Sequence, residues 1–173
     1  GEPPTRIGEY APDPDNPPGD IDPTQTVFIA DLGIGYDQPI ALDYRPSSFV
    51  TRRALENGIA SIAATGGSTN GVLHLLGIAH EFGIDLDIDA FGAIADRTPL
   101  IADLRPGGRY TASDLYDAGG VGLVMRELLR RDDLLHAEER TVDGQTIAEI
   151  AGRVTETDGQ PVIHSIDAPL KPT

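Results

Sequence analysis

Residues 63–83 read AATGGSTNGVLHLLGIAHEFG. This stretch limits the possible folds more than any other in the chain. Two adjacent glycines permit left-handed backbone and close approach of another group. They are followed by Ser68, Thr69 and Asn70, all good helix N-cap types. The apolar run Val72, Leu73, Leu75, Leu76, Ile78, Ala79, Phe82 is too dense for a thin surface stripe, so the spacing predicts a buried helix over 69–82. A glycine-rich turn feeding a helix N-terminus is the construction of many anion sites. It is also an ordinary tight turn in which Ser68 or Asn70 merely caps the helix, and spacing alone favours that plainer reading.

The rest of the chain supplies a core with little aromatic content. Aromatic residues make up 5% of 173 residues, with no Trp and no Cys, so Leu, Ile, Val and Ala must fill the interior. A chain of this length buries roughly two-thirds of the surface it exposes when unfolded. Zero cysteines exclude disulfides, a thiol nucleophile and any cysteine-ligated iron–sulfur cluster held by this chain alone. The net charge is −15, and Lys171 is the only lysine among 13 basic residues. That balance argues against nucleic acid, which needs clustered Lys and Arg. It also argues against an anionic membrane surface. With no long apolar run and no leader-like N-terminus, the expected location is cytoplasmic.

Residues 1–25 are rich in Pro, Asp and Gly and read as an extended arm. Residues 26–46 change character: two β-rich runs, 26–30 and 40–44, flank a Gly-Ile-Gly-Tyr-Asp turn and suggest a hairpin ended by Pro46. From Ser47 the grammar is helical. Helices are expected over 48–62, 69–82, 87–95, 111–117, 120–131 and 146–152, with Ser48 and Asp87 or Asp89 as caps. Thr111 and Asp114 form a capping-box-like pair. Short strands are expected at 98–102 and 161–165. The fold class is therefore α/β, rich in helix.

Candidate chemistry is sparse. His74 and His80 are six apart on one helix and do not share a face as metal ligands at i, i+4 do. His136 and His164 have no acidic or hydroxyl partner at a diagnostic spacing. Ser68, His74 and Asp103 make a triad only on paper, because no nucleophile elbow is present. Asp85, Asp87 and Asp89 alternate like a calcium loop, but Ala90 and Asp96 occupy the slots that need Gly and Glu. Asp103 and Arg105 read either as a polar rim near an active site or, more simply, as a turn with Pro106–Gly107 as punctuation.

The stretches TRRALENGIASIAATGGSTNGVLHLLGIAHEFGIDLDIDAF, RTPLIADLRPGGRY, DLYDAGGVGLVMREL, LLHAEERTVDGQTIAE and VIHSIDAPLKPT occur in the order and spacing of one family. Across 47–173 the chain resembles the dihydroxy-acid and phosphogluconate dehydratases, and its last residues resemble the dihydroxy-acid branch. The resemblance implies a segment of a larger α/β dehydratase domain. It implies removal of water from a 2,3-dihydroxy acid to give a 2-keto acid, in branched-chain amino-acid biosynthesis. The substrate-facing residues would be Thr65, Gly66, Gly67, Ser68, Thr69 and Asn70. The family uses an iron–sulfur cluster and magnesium. The motifs that bind them, and the proposed serine base, have no counterpart here, so the resemblance implies no bound cofactor, no catalytic residue and no activity in isolation. It also implies either self-association or packing against missing parts of the same enzyme. A second resemblance covers 22–45, DPTQTVFIADLGIGYDQPIALDYR, which is similar to the closing strands of SUKH-superfamily immunity domains and implies a protein-binding module without catalysis.

Overall fold

A computed structural model describes residues 45–173. The expected arm over 1–25 and the hairpin runs 26–30 and 40–44 lie outside the described residues. A 3-10 turn at Pro46–Ser48 leads into six helices: α1 Arg52–Thr65, α2 Asn70–Glu81, α3 Ile88–Arg97, α4 Ala112–Ala118, α5 Gly120–Leu128 and α6 Ile147–Arg153.

Local chemistry explains most of the boundaries. α1 starts later than Ser48 because the Pro46 carbonyl takes the Phe49 and Val50 N–H groups in the 3-10 turn. Thr51 is then the hydroxyl in reach, accepting from the Ala54 N–H at 3.0 Å. Asp87 caps α3 through the Ala90 N–H at 2.7 Å. The capping box foreseen at Thr111 and Asp114 is formed, and a second one, Thr146 with Glu149, opens α6. α5 stops at Leu128 rather than 131: the Arg130 and Arg131 N–H groups bond the carbonyls three residues back, at 3.2 and 3.1 Å, and the Arg130 side chain bonds Ser165 Oγ at 2.9 Å and pairs with Glu127 and Asp167.

α1 is the central element and packs against α2, α3 and α5. Its inward face carries Leu55, Ile59, Ala60 and Ala64, all buried, and the small alanines allow close approach of the neighbouring segments. The interior is completed by Ile101, Leu123, Val124 and Leu128, which are essentially sealed from solvent. Fully burying one such side chain contributes about 1.5–3 kcal/mol.

Two expectations need correction. The strands at 98–102 and 161–165 are reduced to isolated bridges, Ala102 with Ile163 and Leu100 with Lys171. The reason is where the backbone donors go: the Ile101 and Ala102 N–H groups both bond the Ala64 carbonyl at the end of α1, at 2.9 and 3.0 Å. Pro161 has no N–H to extend a ladder. The described residues are thus helix-rich, wrapped around extended segments rather than a regular sheet. The second correction concerns α2. Only Ala79 is buried there, while Leu73 is 70% exposed and Phe82 40%. α1 and α3 cover one side of the helix, against which Val72 and Leu75 pack, and Leu73, Ile78 and Phe82 face outward.

Candidate functional site

Residues 65–70 connect the end of α1 to the start of α2, and the turn is set by its glycines. Gly66 sits just past the last helical residue with φ 62°, the left-handed conformation that costs a side-chain-bearing residue free energy. The Gly67 N–H returns to the Ile62 carbonyl at 2.9 Å and the Gly66 N–H to the Ala63 carbonyl at 3.3 Å, the Schellman pattern. Ile62 also lies against the next turn: a Cβ on Gly71 would meet its Cδ1 at 2.6 Å. Glycine therefore serves helix crossing here as well as turn geometry.

The polar side chains of the loop divide in use. The Thr65 hydroxyl donates to the Ser61 carbonyl at 2.8 Å, and Ser68 Oγ accepts from the Asn70 N–H at 3.1 Å. Thr69 occupies the N-cap position without a side-chain cap bond. Ser68 thus makes a local backbone contact, and neither Ser68 nor Asn70 is the N-cap of α2. The Ser68 and Thr69 N–H groups have no hydrogen-bond partner among the described residues, and residues 66–70 are exposed. The arrangement offers a solvent-facing backbone that can accept an anion at the positive end of α2.

Asp103 is buried and held by Arg109, whose N–H and Nε donate to its carboxylate at 3.0 and 2.6 Å. The Arg109 side-chain hydrogen bond holds the Asp103 carboxyl below the usual aspartate range. A Cβ on Gly108 would fall 2.3 Å from Asp103 Oδ1 and 2.5 Å from its carbonyl carbon, so only glycine fits this turn. Arg105 donates from Nε to the Arg109 carbonyl at 3.2 Å. The segment 103–110 is a tightly closed turn. His74 and His80 are exposed on α2. Asp87 of the Asp85, Asp87, Asp89 series is a helix cap.

Sequence reasoning missed a polar cluster that joins α1 to the segment after α5. Buried Asn57 donates from Nδ2 to the His136 carbonyl at 3.0 Å and accepts the His136 N–H at 2.7 Å. His136 Nε2 lies 2.6 Å from Glu56 Oε2, and Glu56 also takes Arg52 Nε at 2.9 Å. Burial pushes the Glu56 carboxyl up, but the bonds to His136 and Arg52 outweigh it and its pKa is lowered. The partners are 79 and 80 residues apart, so no local spacing could have announced them. A cavity of about 740 Å3 lies between α4, α5 and α6, with Met125, Asp143, Ile150 and Arg153 in its lining, and loop 65–70 is not part of it.

A sequence model of the N-terminal part of the dihydroxy-acid/6-phosphogluconate dehydratases matches residues 31–150. The chain belongs to this family. The match takes in residues 31–45, which overlap the SUKH-like stretch. A dihydroxy-acid dehydratase of Koribacter versatilis is 55% identical over 131 residues, covering 76% of this chain and 23% of the relative. One from Thermus thermophilus is 51% identical over 134 residues, covering 77% and 24%, and one from a Roseiflexus species is 49% identical over 131, covering 76% and 23%. The chain thus spans about a quarter of the length of the curated relatives it matches.

The described residues do not fit the iron–sulfur cluster and magnesium that the family resemblance implies. The chain has no cysteine, and among the described residues no group of three or more His, Asp or Glu is placed to hold a metal. Among the described residues no helix is long and apolar enough to cross a membrane.

Proposed function

We propose that this chain is the substrate-facing segment of a dihydroxy-acid dehydratase, a hydro-lyase that converts 2,3-dihydroxy carboxylic acids to 2-keto acids. The identity of about half its residues to proteins of that name, over three-quarters of its length, carries the reading. Within it, Thr65, Gly66, Gly67, Ser68, Thr69 and Asn70 form the surface that meets the substrate carboxylate. The unpartnered Ser68 and Thr69 N–H groups and the dipole of α2 supply the attraction, worth about 0.3–2 kcal/mol. The sequence has no cysteine and the described residues hold no metal-binding group, so on this reading the chain binds the acid without turning it over. The outward-facing Leu73, Ile78 and Phe82 on α2 support association, with another copy or with other parts of the same enzyme.

The test has two readouts on the 173-residue chain. Titrating dihydroxyisovalerate into 15N-labelled protein should shift the amide signals of residues 65–70, and a titration that leaves them unmoved overturns the loop assignment. Incubation with the same acid after cluster reconstitution should yield no 2-keto acid, and measurable turnover overturns the proposed inactivity.

A further inference from the structure

Lys171 stands out because it is the only lysine of a chain with net charge −15. Six arginines among the described residues, Arg52, Arg53, Arg109, Arg126, Arg130 and Arg131, are engaged in ion pairs with carboxylates. Lys171 makes no ion pair among the described residues and is exposed.

Its backbone is placed by the extended segment beside loop 65–70. The Leu100 N–H donates to the Lys171 carbonyl at 3.0 Å, and the Leu100 carbonyl accepts both the Lys171 N–H at 3.3 Å and the Leu170 N–H at 2.9 Å, as at a bulge. The two residues therefore form a hydrogen-bonded antiparallel pair. Residues directly opposite in such a pair project from the same face, with Cβ atoms about 4.5–5.5 Å apart. The face is known from Leu100: its Cδ1 is 3.3 Å from where a Cβ on Gly66 would sit. The Lys171 stem thus leaves the backbone on the side that carries the Gly66 turn, and four methylenes give its ammonium reach over the loop.

We propose that Lys171 is a substrate-binding residue: its ammonium closes the carboxylate site over loop 65–70. This rests on the loop reading above and deepens it by supplying the counter-charge. An anionic ligand approaching a chain of this charge is repelled over most of the surface. A cation beside the Ser68 and Thr69 N–H groups offsets that repulsion where the carboxylate must sit, and an ammonium–carboxylate hydrogen bond is roughly twice as strong as a neutral one.

The test uses the same 15N titration with dihydroxyisovalerate on the wild type, Lys171→Met and Lys171→Arg. The expected result is a loss of about tenfold in affinity for Lys171→Met. Lys171→Arg should retain most of the affinity, and the shifts should stay on residues 65–70 in all three. A second readout exploits the single lysine: acetylation of Lys171 by an amine-reactive ester, followed by mass spectrometry, should slow when the acid is present. If Lys171→Met binds as tightly as wild type through the same loop amides, the lysine assignment is overturned and the loop reading stands. If the wild-type shifts lie elsewhere, both are overturned. Because Lys171 is exposed and its pairing uses backbone atoms, the variants should keep the wild-type amide dispersion.

Discussion

Replacing Asn57 with alanine should be among the more damaging single changes in the described fold. Its amide makes two hydrogen bonds to the backbone of His136, at 3.0 and 2.7 Å, and its side chain lies in the interior at 5% exposure. Each such bond contributes about 1 kcal/mol net, and a polar group left without a partner costs about 1–3 kcal/mol. His136 is itself only half-buried, so water can reach part of what the deletion frees. The low end of that range applies, and the sum is about 2–4 kcal/mol. For a chain of this size each kcal/mol moves the melting temperature by about 2–4 °C, so Tm should fall by about 5–15 °C. Urea unfolding followed by circular dichroism measures the loss directly, and an unchanged slope would place the effect in the folded state. Hydrogen exchange at the His136 N–H should accelerate at the same time, because its acceptor is gone. A loss below about 0.5 kcal/mol, typical of surface substitutions, would refute the view that this clip ties α1 to the 132–140 segment.

Two further outcomes are expected. The carboxyls of Glu56, Asp103, Asp114 and Glu149 all have lowered pKa values in the folded chain. Their contribution is therefore complete above the ordinary values of 4.5 for Glu and 3.8 for Asp and is lost as pH falls through the folded values. The stability gap between wild type and Glu56→Gln should accordingly hold above about pH 4.5 and narrow as the pH falls below it. A gap that stays constant in thermal melts below that pH would contradict the Glu56 assignment. The exposed Leu73, Ile78 and Phe82 should make the isolated chain self-associate, opposed by its charge of −15. Sedimentation velocity should then show a weight-average mass that rises with concentration and more steeply in added salt, while a concentration-independent monomer would show that α2 needs no cover.

Features governed by neighbouring residues were legible in the sequence. The capping box at Thr111 and Asp114 and the Asp87 cap depend on side chains reaching backbone groups three residues away, and the Gly66–Gly67 turn on backbone bonds three and five residues back. The family, too, could be read from the order and spacing of its motifs. Burial and pairing between distant segments belonged to the tertiary structure. The apolar density of α2 predicted an interior helix, yet density says only that such residues favour cover, and α1 and α3 supply it on one side alone. The short apolar run at 98–102 predicted a strand, but the Ala64 carbonyl, brought there by the end of α1, takes two of its donors. The Glu56–His136 contact and the placement of Lys171 opposite Leu100 join residues about 70 to 80 apart. No local period encodes such pairs, because they form only when packing of the apolar faces brings their backbones together.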